Sequence, residues 1–115
     1  MRYVKNVLAV LDGELLTEES GLEVEFAKVF ASDLMSDVLA FLDPGSLLLT
    51  GLVNAHVVRT ACLADVAAVV FVQGKRPDQS VVDEANANRL PLIATACSMF
   101  ESCGRISRYF HGDDR

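Results

Sequence analysis

Lys75 and Arg76 are the only adjacent basic pair in a chain of 115 residues with a net charge of −6, and they follow Gln73-Gly74 directly. A cationic pair on a glycine turn, next to helix starts whose backbone N–H groups lack partners, is the chemistry of an anion or phosphate site. Two more polar turns should gather at the same edge: Thr50-Gly51-Leu52-Val53-Asn54 and Thr95-Ala96-Cys97-Ser98. The candidate ligand-binding residues are therefore Thr50, Gly51, Asn54, Gln73, Gly74, Lys75, Arg76, Thr95 and Ser98. The plainer alternative is that Gly51 and Gly74 only permit tight turns while Lys75-Arg76 is a solvated corner.

Catalytic constellations are sparse. Cys97 precedes an expected helix start at Ser98, where a helix dipole can lower a thiol pKa, although buried apolar cysteines are the commoner case. Asp33 and Asp37 are four apart and would share one helix face, the spacing of an acid–base or cation pair or simply of a solvated face. Runs of the GxxxxGK[ST], GxGxxG and GxSxG types are absent, so no P-loop, dinucleotide fingerprint or nucleophile elbow is expected. His56 and His111 stand far apart and the cysteines at 62, 97 and 103 form no CxxC pair, a poor metal set; neither a metal nor a cofactor is expected.

The positioning elements are legible from periodicity. Leu47, Leu48 and Leu49, and then residues 67–72, read as buried parallel strands, each closed by a glycine turn. Between them Val57, Val58, Ala61 and Cys62 fall at helical spacing behind Asn54, a good N-cap, completing a right-handed strand–helix–strand unit. Upstream, Val4, Val7, Leu8 and Leu11 mark a short helix stopped at Asp12-Gly13. Residues 14–16 read as a brief edge strand, and Val24, Phe26 and Val29 mark a second extended segment. Ser32 is expected to open a helix with Leu34, Met35, Val38, Phe41 and Leu42 on its buried stripe. Downstream, Pro77-Asp78 starts a helix that buries Val81, Val82 and Ala85 and reaches about Asn88; residues 92–94 form the next strand. Ser98 and Glu101 form a capping box before Met99, Cys103, Ile106 and Phe110. This alternation predicts one domain over residues 1–115, a three-layer α/β/α sandwich with a mainly parallel sheet and a disordered tail over about 111–115.

Composition narrows the function. The acidic balance argues against nucleic acid and anionic membranes, and the apolar runs are too short for a membrane span. No signal-peptide core of adequate length is visible, and an odd set of unpaired cysteines fits a reducing compartment, so a cytoplasmic location is expected.

Residues 31–106, in which Leu49-Thr50-Gly51 leads through helix and strand to Gly74-Lys75-Arg76-Pro77, resemble the DRTGG-domain family. That family is similar to the N-terminal domain of HPr kinase/phosphorylase. It also occurs fused to CBS pairs in family II pyrophosphatases and within long phosphotransacetylases, as a regulatory or dimerising module. The resemblance implies the same fold and no kinase activity, because in HPr kinase the chemistry belongs to a separate P-loop domain. Where the family places its Asp-Arg pair this chain has Leu52 and Val53, and Val72-Gln73-Gly74 replaces the closing Thr-Gly-Gly. The role of that charged pair is therefore not carried over.

The expected function is a non-catalytic regulatory module, homodimeric, that binds a small anionic metabolite or nucleotide or docks on a partner enzyme. The alternatives are a pure protein-interaction adaptor without ligand and a small enzyme using Cys97 or Asp33 and Asp37. The 51% hydrophobic content leaves apolar side chains to spare, and Leu52, Val53, Met99 and Phe100 are the expected dimer interface.

Overall fold

The computed structural model describes residues 2–112. Its elements in chain order are α1 (Val4–Val10), β1 (Glu14–Leu15), β2 (Lys28–Ala31), α2 (Met35–Phe41), β3 (Ser46–Thr50), α3 (Ala55–Leu63), β4 (Ala68–Phe71), α4 (Gln79–Ala87), β5 (Leu92–Ala94) and α5 (Met99–Phe110). The sheet order is β1-β5-β4-β3-β2. Strands β2 to β5 run parallel, with Leu48 opposite Val69 and Val70 opposite Ile93, and β1 closes one edge antiparallel to β5.

Each of β2, β3 and β4 is followed by a helix and then by its immediate neighbour in the sheet. Right-handed crossovers repeated in that order place all the connecting helices on one face. Met35 and Val38 of α2, Val57, Val58 and Ala61 of α3, and Val81, Val82 and Ala85 of α4 accordingly share one core with Leu48, Val69, Phe71 and Leu92. On the other face Val4, Val7 and Leu11 from the α1 region, Phe26 and Ile106 of α5 cover Leu47, Leu49, Val70 and Ile93. The alternation of Leu47 and Leu49 against Leu48 is the two-residue strand period expressed on both faces. It explains why β3 is apolar almost throughout, with every residue buried. This is the three-layer α/β/α arrangement expected from the sequence.

Several local expectations are corrected. The helix expected from Ser32 begins at Met35, because Ser32 Oγ accepts from Leu34 N at 3.0 Å and holds the preceding residues in a turn. Only Met35, Val38 and Leu42 of its stripe are buried; Leu34 and Phe41 are 57% and 68% exposed. The helix covers the β2 edge of the sheet and meets another helix, α3, on one flank, so the other flank has no layer to enter. Cys62, expected on the buried stripe of α3, is exposed, and Thr60 takes a buried place instead. The second extended segment yields regular pairing only at Lys28–Ala31, with Phe26 buried ahead of it and Val24 exposed. His111 and Gly112 form a turn after α5, and the rest of the expected disordered tail, residues 113–115, lies outside the described residues.

Candidate functional site

The carboxyl ends of β2, β3, β4 and β5 lie along one edge, where loops and helix starts of open α/β sheets collect. Backbone pairing zips part of that edge shut. Gln73 N donates to Cys97 O at 2.8 Å and Gly74 N to Thr95 O at 2.9 Å, so these amides are not free to hold an anion. Gln73 and Gly74 both take left-handed φ, +64° and +71°, which turns the chain back onto the β5 loop and explains the glycine. Thr95 Oγ1 donates to Leu11 O at 2.7 Å and accepts from Cys97 N at 3.2 Å. Ser98 Oγ accepts from Glu101 N at 3.1 Å, the expected N-cap of α5. Glu101 itself does not complete the capping box, since its carboxylate pairs with Arg105 at 2.6 Å. The basic pair is divided: Arg76 grips Glu14 of β1 through two bonds of 2.9 and 3.1 Å, and that carboxylate is held below its ordinary pKa by the hydrogen bond and charge of Arg76.

The corner between β2, β3 and β4 is held by side chains instead. Asp33 is not on a helix with Asp37. It follows β2 as a loop residue, and its Oδ1 accepts from Thr50 Oγ1 at 3.1 Å and from Gly51 N at 2.6 Å. Gly51 is buried yet needs no left-handed φ, so its backbone conformation does not explain the glycine. A Cβ placed on it would lie 3.4 Å from both Asp33 carboxylate oxygens and 3.6 Å from Lys75 Nζ, an ordinary contact. Space for a methyl group over Gly51 therefore adjoins both a carboxylate and an ammonium, and Lys75 makes no ion pair or hydrogen bond through its side chain among the described residues. Asn54 opens α3 beside this corner, but its side chain makes no capping bond, which leaves it and the amides of Ala55 and His56 available, while Val57 N donates to Asn54 O at 3.1 Å.

Of the expected binding residues, Thr50, Gly51 and Lys75 thus meet at one point, with Asn54 at the helix start that follows. Gln73, Gly74, Arg76, Thr95 and Ser98 are engaged in holding loops. In the sequence Asp33 stands out only as a member of an acidic pair; no local pattern marks a carboxylate that caps a turn 18 residues downstream. The alternative nucleophile, Cys97, is half-buried with Sγ 3.7 Å from Leu11 O. Neighbouring atoms withdraw water from the thiol of the otherwise exposed Cys62 and from that of half-buried Cys103, which pushes both up, the former aided by Glu84. No three His, Cys, Asp or Glu side chains cluster as a metal set among the described residues, and no helix of them is long and apolar enough to cross a membrane.

The expected interface residues separate as well. Leu52 and Val53 are half-buried against the α2–α4 core and Met99 against the other core, while Phe100 is 90% exposed. An apolar cleft of about 400 Å³ lies away from the Gly51 corner, between the outer edge of β2 and α5. Val29, Ala31, Ile106 and Phe110 line it, and Lys28 at its rim is tied to Asp43 at 2.5 Å.

The DRTGG domain family matches residues 6–109. Among solved structures, the chain is similar to the CBS and DRTGG domains of the regulatory region of Clostridium perfringens pyrophosphatase, crystallised with its activator diadenosine tetraphosphate. The TM-score is 0.75 at 19% sequence identity, covering 90% of this chain and 45% of that one. The chain therefore spans less than half the length of that regulatory region, and the likeness is one of fold. No curated protein matches the sequence.

Proposed function

The chain belongs to the DRTGG-domain family, and from that premise we propose that it is a non-catalytic regulatory module, homodimeric and cytoplasmic, that senses a small nucleotide at the Asp33–Gly51–Lys75 corner. The observation that carries this reading is the gap over Gly51, flanked by the Asp33 carboxylate and Lys75 Nζ. A bare phosphate entering there would gain from Lys75 and be repelled by Asp33. A nucleotide offers both complements, hydroxyl or amino donors for the carboxylate and a phosphate for the ammonium and the first amides of α3. The pyrophosphatase regulatory region binds a dinucleotide activator, which supports testing the same ligand class here.

The non-catalytic reading is supported by what the candidate groups already do: Asp33 caps the Thr50-Gly51 turn and the Cys97 thiol faces a carbonyl. The adaptor reading is favoured by a different observation, the exposure of Leu34, Phe41 and Phe100.

Thermal shift with a panel of adenosine and guanosine mono-, di- and triphosphates and diadenosine tetraphosphate tests the proposal. A ligand at about 100 times its Kd adds roughly 2.7 kcal/mol, a rise of about 10 °C. Lys75→Ala and Gly51→Ala are each expected to remove that rise, the second by filling the gap with a methyl group the surroundings accommodate. A panel without any shift leaves the adaptor reading. A shift untouched by both substitutions places the ligand elsewhere.

A further inference from the structure

The outer face of α5 contains a glycine that the fold does not require. Gly104 lies in mid-helix without a left-handed φ, is exposed, and has nothing within 4 Å of where its Cβ would be. A glycine in a helix interior is unfavourable relative to alanine, and no packing inside this chain compensates. One turn before it stands Phe100, 90% exposed; one turn after it stands Arg108, also exposed. Ser102 and Ile106 are the buried residues of this helix, and Met99, Cys103, Tyr109 and Phe110 pack against the core beside them. Helical spacing therefore turns residues 100, 101, 104 and 108 together to the outside. Phe100, Glu101, Gly104, Arg105 and Arg108, with Ser98, line a shallow groove there.

We infer that this face is self-complementary and that its occupant is a second copy of the chain, in an antiparallel crossing of the two α5 helices with the two-fold axis at Gly104. The inference rests on the homodimer reading above and assigns it a surface. In an antiparallel pair centred on residue 104, facing positions sum to a constant. Phe100 then meets the partner's Arg108, and Glu101 comes within reach of the same residue. Two bare glycine backbones permit close approach at the axis, each phenyl ring covers a guanidinium, and every contact is made twice, the signature of an isologous interface. The face is also close to neutral, because Arg105 pairs with Glu101 within the chain and leaves only Arg108. Two copies of a chain with net charge −6 repel, and α5 sets Arg105 and Arg108 against Glu101 as its single carboxylate. Leu52 and Val53, expected at the interface from the sequence, are packed inward and take no part.

Light scattering coupled to size exclusion, with sedimentation equilibrium from about 1 to 100 μM to cover a standard-sized interface, is the test on the full chain. The unmodified protein should show a dimer mass. Gly104→Leu, which improves helix propensity and blocks the approach, and Phe100→Asp, at a solvated position, should each weaken dimerisation at least tenfold. Far-UV circular dichroism should stay unchanged in both. A monomer mass throughout would overturn the homodimer reading and this surface with it. A dimer unaffected by either substitution would leave the homodimer standing and overturn the α5 assignment alone.

Discussion

Asp33→Ala is the substitution whose consequence follows most directly from the geometry. It removes the acceptor of two hydrogen bonds, from Thr50 Oγ1 at 3.1 Å and from Gly51 N at 2.6 Å, at a point where Thr50 is 0% exposed. Bonds to an ionised acceptor are worth about 1.5–3 kcal/mol each, and a buried donor left unpaired forfeits its solvation. Asp33 itself is exposed, so water weakens the pair, and together the two are worth about 2–3 kcal/mol rather than their maximum. An unfolding entropy of roughly 2.1 cal/mol/K per residue gives about 0.24 kcal/mol/K for 115 residues, so the melting temperature should fall by about 10 °C. Asp33→Asn keeps a neutral acceptor for the Gly51 amide and should lose less than half as much. Asp37→Ala, which removes a carboxylate from the first turn of α2, should cost only about 0.5 kcal/mol. Urea unfolding followed by circular dichroism at one protein concentration measures all three, the fixed concentration removing any contribution from self-association. If Asp33→Ala lies within about 0.5 kcal/mol of the parent, Asp33 does not cap the Thr50 turn and the corner is not preorganised.

Arg76→Ala should slightly loosen β1, which backbone pairing to β5 still holds, rather than act on a ligand, and it has a pH signature of its own. Because Arg76 lowers the pKa of Glu14 in the folded protein, the pair stabilises above the ordinary carboxylate range and is lost as the pH falls through the lowered value. Parent and variant should therefore differ at neutral pH and converge in acid; a gap that persists at about pH 2 refutes the pairing. Leu48→Ala, in a strand buried on both faces, should cost about 3 kcal/mol by urea unfolding, and a loss below about 1 kcal/mol would contradict the core assignment. Cys62 and Cys103, with pKa values pushed up, should react with iodoacetamide more slowly in the folded protein than in urea. Faster reaction when folded would refute the assigned environments. Cys62→Ser should leave the melting temperature unchanged because the side chain is exposed.

What depends on neighbours along the chain is legible in the residues alone. The apolar runs at Leu47 to Leu49 and in residues 67–72 read as buried strands because they are too apolar for solvent, short, and each closed by a glycine turn, and the second is rich in β-branched valine. Asn54, Asp78 and Ser98 each stand at a helix start, and the repeated strand–helix alternation implies the layered sheet. Family membership followed from the same ordered run. Contacts that join distant segments exist only in the folded chain. Asp33 reaches a turn 18 residues away and Arg76 a carboxylate 62 residues away, and neither distance has a periodic signature. Leu34 and Phe41 sit at helical spacing that would bury them under a central helix, but their helix covers the β2 edge. Cys62 turns outward because Val57, Val58 and Ala61 already fill the face that meets the sheet. Periodicity sets how wide an apolar stripe is; only the placement of neighbouring layers sets how much of it is covered.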